Sequence, residues 1–319
     1  MTKPENWHVL GAGAMGCLWA ARLLEQGHSC RLLVRQRAQT PKSHQTCTLS
    51  LESAGKISRF TLAVSSSSCV QETPINKLLL SCKAGEVISA LDSVQHSISP
   101  QTRIVLLQNG IKMQRQLRQQ DRHNQFFCLA TSHGAWLRAP FHVVHAGVGK
   151  AWLGQLPRIA DTATDIQQRT TRLLQSLPAS TMQLGFAADI EQQLWLKFAI
   201  NCAINALTVI HDCQNGELLS AAHQPTLSAL CAETETILAG CGHSIGARPL
   251  LDATREVLQA TAANYSSSLQ DARRGRALEL AHFNGYLCEL ADGFGLTCEH
   301  NRSLLRTVET RLQQIRNGA

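Results

Sequence analysis

A chain of 319 residues, 44% hydrophobic and 17% charged, has room for two domains with substantial cores and is too apolar to be disordered. Its net charge of +7 is dispersed and only 5% of residues are aromatic, so neither a basic stripe nor a nucleic-acid-binding module is read. The polar start MTKPENWH is not expected to be a signal peptide, no stretch is expected to span a membrane, and the 12 cysteines, without a C-x-x-C pair, read as buried free thiols of a cytoplasmic protein without a metal site.

In chain order, Trp7 to Leu10 reads as a short buried strand and Gly16 to Gln26 as a helix that Gly27 ends at positive φ. Cys30 to Val34 closes a βαβ start. Between strand and helix, Gly11, Gly13 and Gly16 fill a G-x-G-x-x-G pattern. The first glycine permits the tight turn, the second lets a diphosphate approach the backbone, and the third lets helix and strand pack closely. Free N–H groups at the helix start then meet phosphate. A glycine-rich turn with only a structural role is the plain alternative. An NAD-binding acid is expected roughly 20 residues further on. That position reads VRQR, with Arg35 in place of the acid and Arg37 nearby. A guanidinium fork matches a 2′-phosphate, which favours NADP; an ordinary surface arginine would look the same.

Apolar runs at Lys77–Cys82, Arg103–Leu107 and Phe126–Thr131 have the length of strands buried on both faces, as in a doubly wound parallel sheet. The Ser/Thr-rich region from Gln36 to Thr73 carries no clear element, and Phe141 to Gly154 alternates like an antiparallel appendage. Lys83 and Asn109 follow two of the apolar runs. Ligands of open α/β sheets sit at the carboxyl ends of strands, so both residues are placed to meet one; both also suit strand-ending turns.

After about Leu184 the texture becomes helical. A helix is expected from Ile190 to His211, opened by an Asp189–Gln192 capping box, then helices at Leu227–Ala239, Leu251–Ala262 and Ser267–Phe294 and a tail from Asn301. The domain boundary is placed near Gly185, giving 1–185 and 186–319. On the first of these helices Lys197, Asn201 and Asn205 fall at i, i+4 and i+8, on one face of an otherwise apolar segment. Such groups need partners or a polar ligand to offset desolvation; the wet side of an amphipathic helix is the alternative. Asn264, Ser267, Asp271 and Glu279 form a second polar set, equally readable as a solvated face.

These residues carry a resemblance. GAGAMG, SCKAGEV, QNGI, WLKFAINCAINALTVIHDCQNGEL and NYSSSLQDARRGRALELAHFNGYL together resemble the ketopantoate reductase (2-dehydropantoate 2-reductase) family over most of the chain. The resemblance implies an α/β fold, a Rossmann-type doubly wound sheet followed by an all-helical C-terminal domain. It implies an enzyme of pantothenate biosynthesis that uses NADPH to reduce the C2 ketone of 2-dehydropantoate. Gly11, Ala12, Gly13, Ala14, Met15, Gly16, Arg35, Lys83 and Asn109 would contact NADP, with Ala135 meeting it through its backbone. Lys197 would be the proton donor. Asn109, Lys197, Asn201, Asn205, Asn215, Asn264 and Ser267 would hold the substrate, and Glu279 would face both cofactor and lysine. One departure stands out: Glu86 occupies a position where an uncharged glutamine is expected, which puts cofactor affinity in question. Two other readings share these motifs. One is a reductase of another small 2-oxo or hydroxy acid on the same scaffold. The other is a non-catalytic NADP sensor, which would need no acid at Lys197. The partner is a small-molecule 2-oxo acid, with neither nucleic acid nor membrane expected; a homodimer is compatible with the sequence.

Overall fold

The computed structural model describes residues 5–35, 45–67, 74–121, 123, 125–158 and 160–317. The chain forms two compact units, one from Met1–Asn109 and Met113–Ile190, the other from Gly110–Lys112 and Glu191–Ala319.

The strands are β1 (Asn6–Leu10), β2 (Ser29–Val34), β3 (Gln45–Ser53), β4 (Lys56–Ser66), β5 (Ile75–Leu80), β6 (Ile98–Leu106), β7 (Phe126–Thr131), β8 (Gly134–Ala139), β9 (His142–Gly147), β10 (Ala151–Gly154) and β11 (Leu184–Phe186). They form one sheet in the order β11-β10-β7-β6-β5-β1-β2-β4-β3-β9-β8. Its centre, from β7 to β4, is parallel throughout. Leu78, Leu79 and Leu80 of β5 are each 0% exposed, which requires cover on both faces of the sheet and explains the unbroken apolar run. Helix α1 (Ala14–Glu25) supplies part of that cover through Leu18, Trp19 and Leu23, which join Trp7, Val9, Leu79 and Phe127 in one apolar cluster. Helices α2 (Val87–Val94), α3 (Lys112–Gln120) and α4 (Ala163–Leu174) are the other α-helices among the described residues before the long helix described next.

Two features of this unit differ from the sequence reading. The stretch without a clear element contains the β3–β4 hairpin, turned by Ala54 and Gly55 at φ 49° and 75°. Both positive angles suit a tight hairpin turn. Only one face of β3 is apolar, through Leu49 and Leu51, so its composition looks like loop. The antiparallel appendage also begins earlier, because β8 pairs with β9 while β10 runs antiparallel to β7. The expected boundary near Gly185 falls inside β11, whose partner is β10.

The second unit contains α5 (Ile190–His211), α6 (Gln224–Gly240), α7 (Leu250–Ala260), α8 (Ser267–Arg273), α9 (Asn284–Gly293) and α10 (Glu299–Asn317). Short 3₁₀ turns lie at Asn215–Leu219 and Glu279–His282. Contrary to the expectation that no stretch is long and apolar enough to cross a membrane, α5 has 22 residues and a mean hydropathy of 1.3 in its most apolar window. That window is 72% buried inside the protein, as in a core helix. The single helix expected over Ser267–Phe294 is broken. Gly275 adopts φ 63°, its N–H donates to the Ala272 carbonyl, and the N–H of Arg276 donates to that of Asp271. This left-handed cap ends α8 and turns the following apolar residues into a separate element.

Candidate functional site

Each unit carries a cluster of the expected residues. In the first, β1 runs into the glycine turn. Gly11 takes φ 115° and donates its N–H to the Leu33 carbonyl at 3.0 Å, holding the turn against β2. A Cβ on Gly16 would lie 2.1 Å from the Gly11 carbonyl oxygen, so helix and turn meet at a distance that no side chain allows. A Cβ on Gly13 would meet nothing within 4 Å. Gly13 is also the N-cap of α1; no side chain caps the helix, and its first turn contains no acid. Open space above uncapped N–H groups fits an anionic diphosphate. Ala14 opens the helix, while Ala12 and Met15 rest against the apolar cluster. Sequence reasoning missed Ser81, whose hydroxyl donates to the carbonyls of Gly11 at 2.9 Å and Leu10 at 3.2 Å and steadies the turn from β5. A small polar residue directly after a buried strand was the available signal.

Three further residues follow strand ends. Lys83 precedes the 3₁₀ turn Ala84–Glu86 after β5. Asn109 follows β6, and Gly110 after it takes φ 85°. The adjacent ends are tied by Gln108, whose side-chain amide donates to the carbonyls of Leu80 at 2.8 Å and Cys82 at 3.3 Å. Arg35 follows β2 and forms an ion pair of 2.9 Å with Glu86, the unexpected acid of the KAGEV segment. That carboxylate is therefore turned toward the arginine. Arg37 lies outside the described residues. Ala135 sits on β8, at the far end of the strand order, and packs against the cluster that also receives α1.

In the second unit, Lys197, Asn201 and Asn205 lie on one face of α5 at the expected spacing. Lys197 and Asn201 are partly buried. Asn205 is only 4% exposed, and its side-chain NH₂ finds no hydrogen-bond partner among the described residues. An unpaired amide in such a place is costly and marks a position suited to a polar ligand. Burial lowers the Lys197 pKa from 10.5 to about 8, against the pull of the Glu279 carboxylate toward the charged form. Glu279 itself begins the 3₁₀ turn before α9 and is partly buried.

Asn215 and Asn264 are also brought together. The N–H of Asn215 donates to the Asn264 carbonyl at 2.9 Å, and its side-chain amide donates to Thr261 Oγ1 at 2.9 Å. Gly216 permits this approach, since its Cβ would lie 2.7 Å from that of Ala262. Ser267 is the exposed first residue of α8. Its neighbour Ser266, which the sequence reading passed over, is buried: its hydroxyl accepts from the N–H of Leu269 at 3.1 Å and shares a 2.6 Å hydrogen bond with Thr208 on α5. Capping thus fixes Ser266 and leaves Ser267 accessible.

Comparison with known proteins follows the same division. Residues 7–158 match the family described as ketopantoate reductase PanE/ApbA, and residues 189–312 match its C-terminal counterpart. The 2-dehydropantoate 2-reductase of Vibrio cholerae serotype O1 is 30% identical over 307 residues, covering 96% of this chain and 97% of that protein. Among solved structures, a D-mandelate dehydrogenase in ternary complex with NADH and anilino(oxo)acetate has a TM-score of 0.84 at 20% identity, covering 98% of this chain and 99% of its own. A ketopantoate reductase from Ralstonia eutropha JMP134 has a TM-score of 0.80 at 22% identity, covering 97% and 99%. These last two likenesses establish the Rossmann-type fold, whereas the family matches and the full-length relative establish that the chain belongs to the ketopantoate reductase family of oxidoreductases.

Proposed function

We propose that this protein reduces 2-dehydropantoate to pantoate with NADPH. The observation that carries the reading is Lys197: an amine on an apolar helix, lowered to about pKa 8 and influenced by a carboxylate. A lysine tuned in this way is suited to proton transfer near neutral pH.

When bound, NADPH supplies the hydride for the C2 carbonyl. The backbone of Gly11 to Gly16, with Ala12, Ala14 and Met15, receives its diphosphate, and Arg35 takes the 2′-phosphate. Lys83, Asn109 and the backbone of Ala135 complete the seat, so residues 1–185 serve the cofactor and 186–319 the substrate. Asn201, Asn205, Asn215, Asn264 and Ser267 hold the carboxylate and hydroxyl ends of the substrate, together with Asn109. The Lys197 ammonium protonates the alkoxide as it forms. Negative charge grows on that oxygen only during reduction, so the cation favours the transition state over the bound ketone. Glu279 keeps the amine protonated. The direct test is loss of reduced-nicotinamide absorbance with 2-dehydropantoate as sole acceptor; nicotinamide binding without such loss would end the reading.

A second reading, another small 2-oxo acid, draws on the likeness to D-mandelate dehydrogenase with its NADH and anilino(oxo)acetate. Fold does not determine substrate, so a panel of 2-oxo acids decides by comparing kcat/KM. Cofactor choice has its own test. Arg35→Asp is expected to weaken NADPH binding about tenfold or more and NADH binding much less, because only the former carries the phosphate that Arg35 is assigned. Equal losses for the two would remove that role from Arg35.

A further inference from the structure

We infer that Glu86 sets the coenzyme selectivity of this protein by competing with the 2′-phosphate of NADP for the Arg35 guanidinium. The inference rests on the proposed role of Arg35 and adds a residue to which no role has been assigned.

The geometry comes from the sheet. Strands β2 and β5 flank β1, so the segments that leave their carboxyl ends emerge on either side of the glycine turn. Arg35 leaves β2 and Glu86 belongs to the turn after β5, and their side chains meet at 2.9 Å. Both are accessible, with side-chain exposures of 63% and 44%. The backbone beneath Glu86 is anchored: its N–H donates to the Lys83 carbonyl at 2.9 Å, and its own carbonyl accepts from the Ser89 hydroxyl at 3.0 Å. The backbone that carries the carboxylate is therefore fixed within its reach of the arginine. The nearby Cys82 thiol responds to both charges: after burial, the larger cause, Glu86 pushes its pKa up and Arg35 pulls it down.

The physical consequence is a change in selectivity. A guanidinium fork binds a carboxylate or a phosphate, and a 2′-phosphate arriving at Arg35 finds the fork in use. Displacing Glu86 then leaves its negative charge beside a phosphate. NAD meets neither obstacle. Its ribose hydroxyls donate to carboxylates, a role usually filled by an acid after the second strand. Glu86 brings such an acid to Arg35 from the turn after β5. The same pair therefore lowers NADP affinity and tolerates NAD, so discrimination is weaker than Arg35 alone would give. An exposed ion pair contributes up to about fivefold to an equilibrium, and removal of the repulsion adds to this.

The test is isothermal titration of the purified full chain with NADP⁺ and NAD⁺ at one low ionic strength, using wild type, Glu86→Gln and Arg35→Ala. Thermal melting of each variant checks folding. Glu86→Gln is expected to tighten NADP⁺ about fivefold or more and to leave NAD⁺ unchanged or weaker. If Glu86→Gln shifts neither nucleotide, or both equally, while Arg35→Ala weakens NADP⁺ alone, the inference is overturned and the assignment of Arg35 stands. If Arg35→Ala weakens neither nucleotide, or both equally, the assignment of Arg35 falls and the inference with it.

Discussion

Lys197→Ala is expected to reduce turnover roughly 100-fold or more, with nucleotide affinity little changed. The substitution removes an amine whose pKa of about 8 suits a donor, and replaces it with a methyl group that fits an apolar helix. Folding should survive, because deleting a partly desolvated cation from an otherwise apolar helix removes a cost as well as a group. The wild-type pH profile should agree. The donor is the ammonium form, which prevails below about pH 8, so reduction should slow as pH rises through that value. Glu279→Gln removes the carboxylate that favours the charged form, so the same limb should move to lower pH. Steady-state rates across pH, with melting curves for each variant, check all three statements. A near-normal kcat in Lys197→Ala would exclude the proton-donor role.

Gly16→Ala is expected to damage both folding and nucleotide binding. The added Cβ would stand 2.1 Å from the Gly11 carbonyl oxygen and 2.4 Å from Ser81 Oγ. A side-chain hydroxyl can rotate away; a backbone carbonyl cannot move without shifting the glycine turn. Overpacking of this kind costs about 1–3 kcal/mol, and any relaxation re-aims the N–H groups at the start of α1. Gly13→Ala is the matched control. Gly13 has φ −73° and ψ 177°, an extended conformation open to any residue, and its Cβ would meet no protein atom within 4 Å. That variant should melt like wild type yet bind nucleotide more weakly, because the methyl group enters the space assigned to the diphosphate. Melting temperature and NADP⁺ affinity measured on both variants separate the two effects. Wild-type behaviour of Gly16→Ala in both measurements would refute the close approach of turn and helix.

The contrast between these glycines is legible in the amino-acid pattern alone. Three glycines at this spacing assign one to close packing and one to ligand approach; the distances at Gly16 agree with the first, and the space at Gly13 leaves room for the second. Helix α5 is equally legible, running from Ile190 to His211 as its residues put it, because the spacing of its apolar neighbours is local. The hairpin of β3 and β4 is not. Its Ala-Gly turn lacks the usual asparagine or aspartate, and its outer face is polar, so only the neighbouring strands reveal it. The break after α8 escapes the sequence for the opposite reason. Apolar residues continue past Gly275 at helical spacing, and one left-handed glycine overrides them.

For the site, the amino-acid sequence by itself determined which residue types occupy which face: the glycines of the turn, the arginine after β2, and the lysine–asparagine stripe of α5. Those are properties of neighbours within a turn or two of chain, where spacing dictates direction. Only the tertiary structure decided the meeting of Arg35 with Glu86, the contact of Asn215 with Asn264, the burial that lowers Lys197, and the capping by buried Ser266 that leaves Ser267 exposed. Each depends on segments distant in sequence being brought together by sheet order or helix packing, and side-chain periodicity carries no record of which distant segment will arrive.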